Sequence, residues 1–254
     1  MKYLAILGSH KRDGITGQYL DTVLDALPAS AEKEIVFLRD YDIYPDTMHD
    51  KCPALDAIEA KMAACDVWVI AAPTYWSGLS GVMKYFFDCM RFRMVRMTKK
   101  MDTLPGQFKN KHYVSLTTCF TSSVENFVTG ATDQTFVTID RVMTSAGLIK
   151  KGEFVGTGTW QYHELRPKKI QECQRLAQKI AHADRKDDET LKRYILLFGM
   201  IAVTTLVTMG IQNIFLHLFS ASVFWLAYIS FVLIFFLLLA GLLHFFTFVR
   251  HRRR

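Results

Sequence analysis

From Tyr194 to Val249 the chain carries no Asp, Glu, Lys or Arg, and no other feature restricts its folding so strongly. A helix on a globular surface needs a charged face toward water, and this run has none. One membrane span takes about 20 residues, so a single straight helix would overrun a bilayer more than twofold, while two spans joined by a turn would fit. Gln212, Asn213, His217, Ser220 and Ser222 interrupt the run and mark the turn. The expectation is a transmembrane helical hairpin over 194–249, with spans near 194–213 and 222–246. Lys192 and Arg193 precede it, and Arg250, Arg252, Arg253 and Arg254 make a basic tail over 250–254. Basic flanks at both ends and an uncharged turn put both termini in the cytoplasm. The expected location is the cell membrane, multi-pass, with the rest of the chain cytoplasmic. Tyr3–Leu7 is too short for a secretory leader, and Lys11, Arg12 and Asp13 come at once after it, so none is expected.

The flanks and tail also account for the charge. The formal net charge is +7, from 31 basic and 24 acidic residues. Six of the basic residues lie beyond Thr190, leaving 25 basic against 24 acidic in 1–190. That balance gives no basic surface for nucleic acid, and no nucleic-acid partner is expected. Five cysteines (Cys52, Cys65, Cys89, Cys119, Cys173) are scattered without a CxxC or a Cys/His pair at metal spacing. Neither a metal site nor a disulfide framework is expected from them.

Ahead of the hairpin, short apolar runs alternate with helical stretches. Lys2–Leu7, Glu34–Leu38, Val67–Ala72, Lys111–Thr117 and Leu148–Val155 read as strands. Helices are expected over about 16–27, 54–64, 79–101, 123–146 and 165–183. This is the pattern of an α/β, doubly wound, five-stranded parallel sheet with helices on both faces. The domain spans 1–183, and 184–193 (DRKDDETLKR) is a charged linker. In such sheets ligands bind beyond the carboxyl ends of the strands, where the strand order reverses. The loops after the first, third and fourth strands are therefore the informative ones.

After the first strand, Gly8 to Leu20 reads GSHKRDGITGQYL. Small and hydroxylic residues surround a helix start, whose free N–H groups suit a phosphate as well as they suit an ordinary capped turn. It is not GxxxxGK[ST], which disfavours a nucleoside triphosphate. After the third strand, APTYWSGLSGVMKYFFD sets Tyr75 and Trp76 in a loop, either as a wall for a flat ligand or as a plug between helix and sheet. After the fourth, Thr117-Thr118-Cys119-Phe120-Thr121-Ser122-Ser123 offers hydroxyls and amides that would equally cap a helix.

Together these loops resemble the NAD(P)H-dependent FMN reductases of the flavodoxin-like superfamily. Gly8, Ser9, Lys11, Gly14 and Thr16 fall in register with that family's first loop. Pro73, Tyr75, Trp76 and Gly78 match its Pro-x-Tyr-Trp/Phe-x-Gly signature, and Ser80, Gly81, Lys84 and Asp88 match the Ser-Gly, Lys and Asp that come after it. Departures are His10 where Pro is usual, Lys11 where Arg is usual, and Ile15 where a polar residue often contacts phosphate. The cysteine cluster of the related iron–sulfur flavoproteins is missing.

The resemblance implies a flavodoxin-like fold, FMN as cofactor, and NADH or NADPH as electron donor. Ser9, Lys11, Thr16, Gly17 and Gln18 would hold the FMN phosphate. Pro73, Thr74, Tyr75, Trp76 and Gly78 would border the ribityl chain and ring, with Thr118 and Cys119 on the other edge. No side chain is required as catalytic acid or base, because the flavin carries the chemistry. The implied activity is hydride transfer from nicotinamide through FMN to a small-molecule acceptor, by a homo-oligomer anchored in membrane lipid. The alternatives are a flavodoxin-type electron carrier, disfavoured because 1–190 sum to +1 and not to a strongly acidic charge, and a non-catalytic membrane-tethered FMN-binding subunit. Beyond Met90 the expected third helix carries Arg91, Arg93, Arg96, Lys99 and Lys100 beside a methionine stripe. Residues 91–101 are expected to rest on anionic headgroups, with a second subunit as the rival contact.

Overall fold

The computed structural model describes residues 1–99, 102–161, 165–182, 199–211, 213–214 and 224–244. Met1–Arg185 and Lys186–Arg253 form separate compact units.

In the first unit, β1 (Lys2–Leu7) is buried from Tyr3 onward, as a strand covered on both faces must be. It pairs in parallel with β2 (Glu32–Phe37) on one side and with β3 (Val67–Tyr75) on the other. Beyond β3 a short β4 (Gly78–Leu79) folds back on it. Later come β7 (His112–Thr118), parallel to β3, and β8 (Ile149–Gly156), parallel to β7. The parallel order is β2-β1-β3-β7-β8, with β4 paired to β3 off that path. The order reverses between β1 and β3. Near Tyr113/Val114 the β8 register shifts, and Lys151 is the extra residue of a bulge.

Apolar side chains alternate across this sheet and feed two cores. Trp68, Ile70 and Tyr113 face α2 (Pro53–Ala64), α3 (Gly81–Met94) and α5 (Asp133–Ser145). Val69, Ala71 and Leu116 face α1 (Ile15–Asp25) and α6 (Pro167–Ala181). The expected flavodoxin-like α/β sheet with helices on both faces is present.

Two of the expected helices are interrupted or stop well short of the bounds the sequence implies. The stretch expected over 123–146 is two helices, α4 (Ser123–Thr129) and α5, separated at Gly130, whose φ of 65° ends α4 in the left-handed region. The Asn126 side-chain amide donates to Thr132 Oγ1 at 3.1 Å and accepts from the Thr132 N–H at 3.0 Å, fixing the elbow.

The helix expected to run to 101 stops at Met94. Its methionines up to that point enter the core, Met83, Met90 and Met94 all being buried. Val95–Met97 (β5) then pairs with Thr103–Pro105 (β6), and the Gly106 N–H caps the Met94 carbonyl at 3.1 Å. A Cβ at Gly106 would lie 2.6 Å from that carbonyl oxygen, so the turn requires glycine. The expected helical extension over 95–101 is therefore corrected, and the expected lipid contact of 91–101 finds no support. Arg93 is 9% exposed and holds Asp46 at 2.8 Å, Asp56 at 2.6 Å and Glu59 at 2.8 Å. The hydrogen bond to Arg93 pulls the Asp46 carboxyl down to about 2. Lys100 and Met101 lie outside the described residues.

In the second unit 199–211 and Phe224–His244 are helical, with individual side chains described at 199–211 and 228–239. Among the described residues no helix is long and apolar enough to cross a membrane. The two transmembrane helices expected at 194–213 and 222–246 are thus not supported by the described residues. Residues 194–198, 212, 215–223 and 245–246 of that expectation lie outside them. So do the linker 184–193 and the basic tail 250–254.

Candidate active site

The carboxyl ends of β1, β3 and β7 bring the three informative loops to one edge of the sheet. The backbone joins them first. The Gly8 N–H donates to the Ala71 carbonyl at 2.8 Å, and the Ser80 hydroxyl donates to the Gly8 carbonyl at 2.5 Å. Ser80 also caps α3 by accepting from the Met83 N–H. A Cβ at Gly8 would lie 2.6 Å from Met83 Cβ, so the first loop and α3 touch only because position 8 is glycine.

The first loop folds tightly onto the start of α1. A Cβ at Gly17 would collide with the Arg12 carbonyl oxygen. Ser9 is buried, with its hydroxyl donating to the Lys11 carbonyl at 2.5 Å. The Gln18 amide donates back to the Asp13 carbonyl at 3.1 Å. Arg12 makes a fork with Asp21, at 2.7 and 3.0 Å, and so braces the loop from outside. Lys11 is exposed. Gly14, the N-cap of α1, offers no side chain to the first-turn N–H groups, and that turn contains no acid. An anion there meets amides and a positive helix end.

Thr16 and Thr118 meet across 102 residues of sequence, their hydroxyls 2.6 Å apart and both buried. One donates to the other, which leaves one hydroxyl proton for a third group. Pro73 is buried and lies in register with Thr118. Thr74 is buried too, but its hydroxyl faces inward, 2.9 Å from Thr117 Oγ1 and 2.8 Å from Thr135 Oγ1.

Tyr75 and Gly78 close a two-residue hairpin turn around Trp76 and Ser77. Both central residues are left-handed, at φ 52° and 58°, the backbone of a type I′ turn that usually takes Asn or Gly. For ordinary side chains this costs roughly 1–2 kcal/mol per residue. The Trp76 side chain is fully exposed, at 100%. Tyr75 stacks on His10, with ring centroids 5.6 Å apart and planes inclined by 23°.

Cys119 lies at the end of the third loop's strand but points inward. It is buried, its Sγ 3.1 Å from Thr121 Oγ1, and burial pushes the thiol pKa up. Burial and a raised pKa both disfavour its thiolate form. Its backbone ties the loop to β8, the N–H donating to the Gly156 carbonyl at 2.9 Å.

All twelve sequence-selected positions therefore lie on or just under this edge. Lys11, Tyr75 and Trp76 are exposed at this edge and Thr16 and Gly17 lie buried at the start of α1, while Ser9, Thr74 and Cys119 direct their side chains into the protein. Residues outside that selection also shape the edge, namely His10, Ser80, Thr117 and Thr135. Ser80 could be read as the N-cap before an apolar run; the His10–Tyr75 stack and the Thr135 contact are long-range and had no local signal. A concavity at the opposite, amino-terminal edge, lined by Met1, Asp66, Lys109, Asn110, Lys111 and His112, contains none of the selected residues.

Residues 1–128 match the model of the NADPH-dependent FMN reductase family. This chain belongs to that family. Similar solved structures share the fold at low identity. The FMN-dependent NADH-azoreductase from Bacillus anthracis str. Ames Ancestor in complex with FMN is 10% identical, with TM-score 0.55, over 71% of this chain and 99% of that one. The NAD(P)H:quinone oxidoreductase from Methanothermobacter marburgensis is 14% identical, with TM-score 0.55, over 72% and 97%. An NADH:FMN oxidoreductase in apo form is 13% identical, with TM-score 0.52, over 72% and 90%. No curated protein matches the chain at a significant level. The family makes the protein an NAD(P)H-dependent flavin oxidoreductase, with FMN as cofactor and NAD(P)H as electron donor. The site fits that cofactor: an uncapped, acid-free helix start suits its phosphate, and an exposed aromatic turn suits its ring.

Proposed function

We propose that this reductase binds FMN across the β1, β3 and β7 loops and passes electrons to a small planar acceptor, from a domain tethered to a membrane. The observation that carries the site is the convergence of the uncapped α1 start and the strained Tyr75–Gly78 turn on one sheet edge. The first-turn amides of α1 and the Lys11 ammonium would hold the phosphate. The uncommitted proton of the Thr16–Thr118 pair would donate to it or to the ribityl chain. Ser9 and Gln18 would act indirectly, by holding the loop shape. Tyr75 and Trp76 would wall the ring, with Pro73 and Gly78 bordering it through the backbone. Bound FMN supplies hydride acceptance and its onward transfer. The chain's own residues bind, orient and leave one ring face open.

The acceptor class is taken from the similar proteins, an azoreductase and a quinone oxidoreductase. The sequence supports the tether, since 194–249 has no Asp, Glu, Lys or Arg. So do the exposed apolar side chains Val203, Leu206 and Met209 on the helix at 199–211 and Leu233, Phe236 and Leu237 on the helix at Phe224–His244. Thr204 and Thr208 return their hydroxyl protons to the carbonyls of Met200 and Thr204, both at 2.7 Å, which hides their polarity within the helix. Basic flanks on both sides would keep both termini cytoplasmic.

Two measurements test the proposal. The absorbance spectrum of the detergent-solubilised protein should show flavin that bleaches with NADH or NADPH and recovers with a quinone or azo dye; flavin that stays reduced with both acceptors overturns the acceptor class. Alkaline carbonate should leave the protein with the membranes, and release into the supernatant overturns the tether.

A further inference from the structure

Thr74, Thr117 and Thr135 come from β3, β7 and α5, and their hydroxyls form one chain. Thr135 Oγ1 lies 2.8 Å from Thr74 Oγ1, which lies 2.9 Å from Thr117 Oγ1. The Thr117 hydroxyl donates to the Ala72 carbonyl at 2.7 Å. All three threonines are buried. Each hydroxyl has one proton, and a carbonyl only accepts. With its proton committed to Ala72, Thr117 must accept from Thr74, and Thr74 must then accept from Thr135. The direction is fixed, and no proton of the chain is left for a ligand.

The turn above this chain needs outside support. Trp76 and Ser77 are both left-handed, and the indole touches too little protein to hold them there. Such strain persists only where the surroundings over-determine it. Support comes from the base of the turn and its first residue: Tyr75 stacks on His10, the Ser80 N–H donates to the Pro73 carbonyl at 3.2 Å while its hydroxyl reaches Gly8, and Thr74 is tied from below to Thr117 and Thr135. Thr135 lies beyond residue 128, where the family match ends.

We infer that Thr135 is a positioning residue for the flavin site, acting from α5 through Thr74 to hold the Tyr75–Gly78 turn in its ligand-ready conformation. This rests on the assignment of FMN to this edge.

The test is the FMN dissociation constant of the full-length apoprotein in detergent, followed by flavin fluorescence, with melting temperature measured in parallel. Thr135→Val keeps the shape and removes the donor; it should weaken FMN about tenfold, the scale of one hydrogen bond. Thr135→Ser should restore binding to within about twofold, because it keeps the donor. Ile139→Val, also buried on α5, should lower the melting temperature and leave FMN affinity unchanged. In a Thr74→Val background, Thr135→Val should add nothing, because the route is already cut. Should Thr135→Val fail to fold, Thr74→Val must itself weaken FMN. Trp76→Ala separates the two readings. If it weakens FMN and Thr135→Val does not, the positioning role falls alone. If Trp76→Ala leaves FMN affinity unchanged, the edge assignment falls and the inference with it. An equal loss from Ile139→Val also overturns the positioning role.

Discussion

The loops after β1 and β3 lie side by side at one sheet edge and are built on opposite principles. The first is compact, shaped by glycine clearances and by polar groups that satisfy one another: Ser9 with the Lys11 carbonyl, Gln18 with that of Asp13, Arg12 with Asp21. The second stores backbone strain at Trp76 and Ser77 and projects an aromatic ring that little protein supports. A phosphate needs donors fixed in place, which a self-satisfied loop provides. A ring needs a broad apolar surface at its face, which a hairpin tip provides, at a cost in stability that its two bases must cover.

The contrast is sharpest in what each loop tolerates. Gly17→Ala should be the most damaging change, since its new Cβ would run into a backbone oxygen that cannot swing aside. We expect a loss of about 1–3 kcal/mol, from overpacking, in urea denaturation, together with weakened FMN binding. Unchanged stability would show that the first loop is looser than its hydrogen bonds indicate. Ser80→Ala removes both the cap of α3 and the bridge between the loops. A loss of about 1–2 kcal/mol is expected, most of it the cap, and wild-type denaturation would mean that the loops are held independently. Trp76→Ala should reverse the pattern: stability stays as it was, because the indole is fully exposed, while FMN binding weakens by about 0.5–1.5 kcal/mol. Smallest is Ser77→Gly. Relief of the left-handed strain, offset by the flexibility of glycine when unfolded, should raise stability by at most about 1 kcal/mol. A drop in stability would mean that the turn is not strained at that residue.

Much of the fold could be read directly because strands announce themselves locally. Lys2–Leu7, Val67–Ala72 and Lys111–Thr117 are apolar runs between turn residues, and the structure moves their ends by three residues or fewer. Helix ends were harder. The Met83–Met90–Met94 stripe continues in register to Met97 and Met101, so periodicity gave no stop. The stop comes from β5 pairing with β6 and from the Gly106 cap, both tertiary. Gly130 was a local signal for the break between α4 and α5, but a lone glycine is tolerated within many helices. In the site, the positions came from motif register and the roles did not. Ser9, Thr74 and Cys119 stand where expected, yet their side chains point inward, because a motif fixes the path of the backbone and not the partner each hydroxyl or thiol finds.

The bulge at Lys151 bears on how copies of this protein can meet. β8 lies at one end of the sheet order, and an outermost strand is a template on which another chain can add a strand. Here the strand reads IKKGEFVG, with an inserted residue, two lysines and a glutamate. The insertion throws the ladder out of step, and Lys150 is already committed to Asp140 and Glu153 at 2.7 and 2.8 Å. Growth of the sheet from one molecule into the next is thereby discouraged at that edge. At this end of the sheet, self-association then falls to helix faces or loops, where a two-fold contact closes on itself and stops at a finite assembly.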